Sequence, residues 1–282
     1  MHTYFNISNL YNALRGTFKY CVMWVIAMCA ISCSNEQSVQ ETVQVTINAG
    51  IDAQSRADNQ STNVNKLTCV VYYNGNELPK LRTTLSVENG IVIGAFKPEL
   101  IPGRTYTFAF WAYTEGAYNI ADFKAITRTG TIEGAYCDAF TNYATATITQ
   151  AQELSITLNR PFAMLNILAN PTDWKTVVNV GPETAEVTIN CYSAYNAVSG
   201  EGCNIATNTY TNTIAENSEL TVGSTTYKTL FSDFILLAPS QDKVISFRYE
   251  IESQTKEVIT TKTISDVPAQ INYKTNVIVP LN

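Results

Sequence analysis

Apolar residues along this chain recur with period two rather than 3.6. Thr42–Ile47 alternates polar and apolar residues cleanly, and so do Tyr106–Phe110, Ala144–Ile148, Leu154–Leu158, Glu186–Asn190, Val244–Ile251 and the terminal Tyr273–Leu281. Such alternation puts every second side chain on one face of a strand. Threonine fills many of the polar positions and suits the wet face of a sheet, because its branched Cβ is stiff. Short strands separated by Asn, Gly, Pro and Ser turns predict an all-β chain of antiparallel sandwiches. One stretch breaks the pattern: Pro171–Gly181 predicts a short helix, capped by Thr172 or Asp173 and stopped by Gly181.

The N-terminus follows different rules. Arg15 and Lys19 precede an apolar run of 12 residues, Tyr20–Ile31, followed by the polar Ser34–Ser38. A membrane-spanning helix needs about 20 such residues, so the run reads as a secretory signal. Ala30-Ile31-Ser32-Cys33 has the form of a bacterial lipobox, in which Cys33 is acylated and becomes the new N-terminus; an ordinary signal peptide with an incidental cysteine is the alternative. The expected organisation is a signal peptide over 1–32, a tether over 33–40, an N-terminal domain over 41–159 and a C-terminal domain over 160–282. The division falls at Asn159-Arg160-Pro161, where one strand ends and the apolar run Phe162–Ile167 begins. Residues 52–65 read as an exposed polar loop.

Composition then narrows the chemistry. The chain has 282 residues, 45% of them hydrophobic and only 15% charged, with a formal charge of −6. That is enough apolar material for a substantial core, and without Lys/Arg clusters there is no electrostatic footprint for nucleic acid. The single histidine is His2, inside the expected leader. Ser-His-Asp and Cys-His nucleophile systems and His-containing metal sites are therefore excluded from the exported chain. The acidic residues form no adjacent pair that would mark glycoside hydrolysis, and Gly200-Glu201-Gly202 lacks the third glycine and the helix of a phosphate cradle. The chain is expected not to be an enzyme and to carry no cofactor or metal. Cys69, Cys137, Cys191 and Cys203 are too widely spaced for a C-x-x-C pattern. Cys191 and Cys203 bracket a polar loop and are the expected disulfide in an exported protein, while Cys69 and Cys137 fit buried free thiols equally well.

Five segments together resemble the fimbrillin family, the type V pilins of Bacteroidales, and related fimbrial-like lipoproteins. They are Cys33 followed by a strand and the loop Ser55-Arg56-Ala57; Lys66–Asn76 (KLTCVVYYNGN); Tyr106–Ala112 (YTFAFWA) with Asp138-Ala139-Phe140; Leu158–Ile167 (LNRPFAMLNI); and Val267–Val277 (VPAQINYKTNV). The resemblance implies two transthyretin-like antiparallel β-sandwich domains and export as a lipoprotein to the outer membrane, with a lipid anchor at Cys33. It also implies assembly by strand exchange with other pilus subunits or further copies of the chain, and contact with host or bacterial surface ligands. In this scheme a protease cleaves Arg56-Ala57 and frees a plug strand that fills its groove with Val43, Val45 and Ile47. A neighbour's terminal strand then enters with Val277, Val279 and Leu281, so that main-chain hydrogen bonds give affinity and alternate side chains set register. Pro280 departs from a good donor, since it has no N–H to give. Arg56 also reads as a solvated loop residue, and Tyr273–Leu281 as simply the last strand of the second domain. The other function considered is a surface glycan-binding lipoprotein, which requires Trp111 or Trp174 exposed on a concave face; the fimbrial reading requires both buried.

Overall fold

The structure, a computed structural model, describes residues 41–52, 63–130, 134–237 and 244–281. Residues from Thr42 onward form one compact unit. Its first part contributes β1 (Val43–Ile51), β2 (Lys66–Tyr73), β3 (Asn76–Glu77), β4 (Thr83–Glu88), β5 (Ile91–Val92), β6 (Glu99–Leu100), β7 (Arg104–Tyr113), β8 (Tyr118–Asn119), β9 (Ile126–Arg128), β10 (Ala139–Ile148) and β11 (Gln152–Leu158). Its second part contributes β12 (Phe162–Ala169), β13 (Pro182–Asn196), β14 (Glu201–Thr213), β15 (Glu219–Val222), β16 (Thr225–Leu236), β17 (Val244–Ser253), β18 (Val258–Pro268) and β19 (Lys274–Val279). The all-β expectation holds.

Two sandwiches repeat one topology. In the first, a small sheet ordered β11-β1-β6 faces a larger one ordered β10-β7-β2-β4-β5. In the second, β19-β12-β16 repeats the small sheet and β18-β17-β13, with β14 on the far side of β13, repeats the larger one. In both, the first strand lies between an antiparallel neighbour and the sandwich's own last strand, which runs parallel to it. A parallel pair requires a long return of the chain, here the whole sandwich.

The helix forms where expected but starts earlier. The α-helix α1 spans Pro171–Val177, and its cap is Asn170, whose Oδ1 accepts from Thr172 N at 2.9 Å. The Thr172 or Asp173 cap is corrected accordingly: Pro171 suits the first helical position, which places the side-chain acceptor one residue before it. A short 3₁₀ turn follows and ends at Gly181 with φ 65°, a left-handed conformation that glycine adopts without strain.

Three apolar clusters hold the unit together. Val45, Ile47, Leu67, Phe96, Phe108, Phe110 and Leu158 belong to the core of the first sandwich, and Leu165, Ile167, Val187, Phe231, Tyr249 and Val279 to that of the second. The third joins them: Trp111, Tyr118 and Phe123 meet Phe162, Tyr195 and Phe234. Two strands make this joint possible. In β7, Phe108, Phe110 and Ala112 enter the first core, while Ala109, Trp111 and Tyr113 point the other way into the joint. In β12, Leu165 and Ile167 enter the second core, while Phe162 and Met164 enter the joint. Strands buried on both faces read as continuous apolar runs, as FAMLNI does, and the alternation read over Tyr106–Phe110 is corrected in the same way, since FAFWA is apolar throughout and buried on both faces. The larger sheet of the second sandwich also continues across the joint, since Ala194 and Tyr195 of β13 pair with Thr127 and Ile126 of β9.

A buried ion pair sits beside this joint. Arg160, 2% exposed, meets the carboxylate of Asp138, 4% exposed, through both Nε and Nη2. Its guanidinium also stacks over Phe140 and Phe234, at 4.8 and 5.3 Å from the ring centroids. Removing one partner of such a pair strands the other charge out of water. Asp138→Ala is expected to lower stability by about 3–5 kcal/mol in urea denaturation. Glu115→Ala, which removes a mostly exposed partner of Lys66, should change stability little.

Candidate functional site

The first strand occupies a groove. β1 pairs along seven positions with β11, from Val45 opposite Gln152 to Ile51 opposite Leu158. Its other edge is met by a much shorter segment: Val43 and Gln44 pair with β6, Val45 N donates to Pro98 O at 3.0 Å, and Ile47 N donates to Phe96 O at 2.8 Å. In the second sandwich the equivalent strand β12 has full-length neighbours, pairing eight residues with β16 and six with β19. The first strand of the first sandwich is thus the one with a weakly closed edge.

The side chains in this groove follow the period of a strand. Val45 and Ile47 are 0% and 1% exposed, and Val43 packs against the same core less completely. Ala49 and Ile51 continue the row to the end of the strand. The plug expected over Glu41–Ile51 with Val43, Val45 and Ile47 facing inward thus has two further inward residues in the structure. Phe96, Leu100, Ile148, Ile156 and Leu158 belong to the core on which these residues pack. Five alternating apolar side chains against such a wall make a linear recognition site of the strand-addition type.

The terminal strand is, in this structure, the last strand of the second sandwich. β19 runs parallel to β12, from Lys274 opposite Met164 to Val279 opposite Ala169. Val279 and Leu281 are buried and Val277 is packed less completely against the same core. Pro280 contributes its carbonyl, which accepts from the Tyr249 hydroxyl. Among the described residues β19 ends its sheet, and one of its edges has no partner strand. Its apolar residues at 277, 279 and 281 have the same spacing as those of the plug at 43, 45 and 47. Cys33 and Arg56-Ala57 lie outside the described residues.

The cysteines require a correction. Cys69, Cys137, Cys191 and Cys203 are all free thiols, so the expected Cys191–Cys203 disulfide is not formed. The hairpin register explains it: Cys191 lies opposite Ala206 and Cys203 opposite Ala194, three positions apart along the ladder. An odd offset puts the two side chains on opposite faces. Cys191 faces the second core, beside Tyr210 and Asn208, whereas Cys203 reaches the Lys124 carbonyl at 3.6 Å. Burial pushes the thiols of Cys69 and Cys191 upward, which leaves little thiolate for reaction.

Neither tryptophan forms an open platform. Trp111 is 1% exposed within the joint, and Trp174 is half-buried against the second core with Lys228 Nζ 5.1 Å from its ring centroid. Among the described residues no group of three or more His, Cys, Asp or Glu could hold a metal ion, and no helix is long and apolar enough to cross a membrane.

A family model described as a family of unknown function, DUF6562, matches residues 34–279. The chain belongs to that family. None of the curated proteins matches the DUF6562 chain. Its fold is similar to a crystal structure of a candidate adhesin from Bacteroides ovatus ATCC 8483, at 12% identity and a TM-score of 0.53, covering 88% of this chain and 94% of that one. A second candidate adhesin from Bacteroides ovatus has 12% identity and a TM-score of 0.50, with 82% of this chain and 79% of that one covered. A more distant likeness, at 11% identity and a TM-score of 0.46, is to the fimbrial anchor protein Mfa2 from Porphyromonas gingivalis, covering 79% of this chain and 82% of that one. What the two Bacteroides ovatus structures share with this chain, at 12% identity, is the fold.

Two measurements check the site. Ile47→Ala is expected to cost about 2–5 kcal/mol in urea denaturation through the cavity it leaves, while Gln44→Ala, on the exposed face of β1, should cost less than about 0.5 kcal/mol. In native alkylation followed by mass spectrometry, Cys203 should be modified first among the four cysteines. Cys69, Cys137 and Cys191, all 1% exposed or less, should react only after unfolding.

Proposed function

We propose that this protein is a non-enzymatic, fimbrial-like lipoprotein, carried to the outer-membrane surface on a lipid anchor at Cys33 and then cleaved, that assembles by β-strand addition and contributes to adhesion. The observation that carries the reading is the state of β1. It fills an apolar groove with alternating side chains, yet one of its edges is closed by little more than Phe96–Leu100. A strand held mainly by one neighbour can be exchanged with a smaller loss of ladder hydrogen bonds than a strand held fully on both sides. Its apolar row still makes the empty groove unfavourable in water. Cleavage at Arg56-Ala57 would release β1, and the terminal segment of a neighbouring subunit, led by Val277, Val279 and Leu281, would occupy its place. The fold shared with two candidate adhesins supports an adhesive role, and the fimbrillin-like segments of the sequence support the pilus-subunit or anchor form of it.

The donor role sets a requirement on the second sandwich. A subunit that donates β19 removes Val279 and Leu281 from its own core, so the donated strand must recover comparable burial in its neighbour. The equal spacing of the two apolar rows supplies the means. Mass spectrometry of protein purified from its own cell surface tests the proposal. An N-terminus at Ala57 together with SDS-resistant multimer ladders is the expected result. Monomers that retain an acylated Cys33 and an intact β1 would sink strand addition through the first groove, and an unacylated Cys33 in the uncleaved precursor would remove the lipid anchor.

A further inference from the structure

Strand β14 pairs with β13 along its length, and among the described residues no strand pairs with its other edge. A free edge is a row of unpaired N–H and C=O groups, which proteins blunt with charge, proline, bulges or short strands. The other terminal strands of the four sheets are treated in these ways. β5, β6, β8 and β15 have two to four residues. β18 carries Lys262, ends at Pro268 and is kinked by a left-handed Asp266 with φ 56°, and β19 runs into Pro280. The outer edges of β10 and β11 meet through Thr141 and Asn159, which exchange backbone hydrogen bonds of 2.8 and 3.0 Å. β14 has none of these devices over Ile205–Thr213, nine residues (IATNTYTNT) without charge or proline. They pair residue for residue with Thr184–Tyr192, and the left-handed Asn204, at φ 60°, bounds this regular run.

The side chains of the run divide by face. Ala206, Asn208, Tyr210 and Asn212 lie on the inner side, where Tyr210 meets Cys191 and Asn212 Nδ2 donates to Ser232 O at 3.0 Å. Ile205, Thr207, Thr209, Thr211 and Thr213 are all exposed on the outer side. A neutral row of hydroxyls at every second position is complementary to itself, since each threonine both donates and accepts. The chain already uses this pairing on its own wet ladders. Thr105 and Thr147, Thr107 and Thr145, and Thr221 and Thr226 share hydroxyl hydrogen bonds of 2.7, 3.0 and 3.0 Å. Cross-strand threonine pairs stabilise antiparallel sheets, and the absence of charge lets two copies of the row approach without repulsion.

We propose that β14 pairs antiparallel with β14 of a second copy, joining the larger sheets of two second sandwiches across a two-fold axis at Thr209. Thr209 then lies opposite itself, Thr207 opposite Thr211 and Ile205 opposite Thr213, so that the outer rows of both copies fall on one face. Nine residues paired in this way form about nine main-chain hydrogen bonds, close to the roughly ten of a standard protein interface. The contact is isologous and closes on itself, so it gives a dimer rather than a filament. It also withdraws the one long unblunted edge from pairing with other extended chains. Neither β1 nor β19 takes part, so the dimer is independent of strand addition through the first groove.

Sedimentation equilibrium of the purified, uncleaved protein tests this pairing. A reversible monomer–dimer equilibrium is expected between micromolar and millimolar concentration. Thr209→Lys and Thr209→Glu, at an exposed position, place like charges opposite each other and should each weaken the dimer by about tenfold or more. The thermal unfolding midpoint should stay unchanged in both. An equimolar mixture of the two variants should restore association, because lysine then faces glutamate. In a Cys203→Ser background, Thr209→Cys should form an intermolecular disulfide on mild oxidation, since directly opposed residues have Cα atoms about 4.5–5.5 Å apart. Thr213→Cys should not, because its copy lies about 27 Å away along the ladder. A protein that stays monomeric throughout overturns the proposal, and so does a dimer that both charged variants leave intact. A disulfide through Thr213→Cys in place of Thr209→Cys overturns it as well. Failure of strand addition on the cell surface, by contrast, would leave this equilibrium unaffected.

Discussion

The rest of the structure depends on burial of two strands on both faces. β7 sends Phe108 and Phe110 into one core and Trp111 into the joint, and β12 divides Leu165 and Ile167 from Phe162 and Met164 in the same way. Each strand is thus the wall of its own sandwich and of the space between the two. The joint cannot be loosened without disturbing the packing around both strands, and the two sandwiches accordingly form one compact unit. Close-packed interiors have little freedom to absorb such a change. The buried Arg160–Asp138 pair and the β13–β9 ladder add directional contacts to this non-directional one.

Within that frame, one topology is used twice with different closure. The second sandwich encloses its first strand between two long neighbours and uses the end of the chain to do so. The first sandwich encloses its first strand with a long β11 on one side and a two-residue strand on the other. The difference is small in residues and large in consequence, because the ladder bonds on the open side are few while the apolar side chains remain buried. A strand in that position can be stable in place and still be a candidate for replacement.

The alternation of polar and apolar residues determined the all-β class, most strand positions and the inward rows of β1 and β19, because one face of each strand is wet and the period of two survives. It also marked FAMLNI as an apolar run, although not what its second face would meet, and it read Tyr106–Phe110 as a one-sided strand where both faces are buried. Helix α1 and its glycine stop were legible from local chemistry, while the cap fell at Asn170 because Pro171 starts the helix. The Cys191–Cys203 expectation failed for a reason that spacing cannot reveal. They are twelve positions apart, and only the register of the hairpin decides whether two side chains share a face.

The topological repeat left no periodic trace in the sequence, since a sandwich constrains which faces are apolar and leaves the identity of most residues free. The aromatic cluster at the joint was likewise invisible: Trp111, Tyr118, Phe162 and Phe234 come from four strands and meet only when both sandwiches are in place. What the sequence determined alone is what local periodicity and turn chemistry can encode, namely strands, their wet and dry faces, and the helix. Which strand is weakly closed, which thiols stay apart and which aromatics meet at the joint were decided by tertiary structure, because each depends on register and packing between residues far apart in the chain.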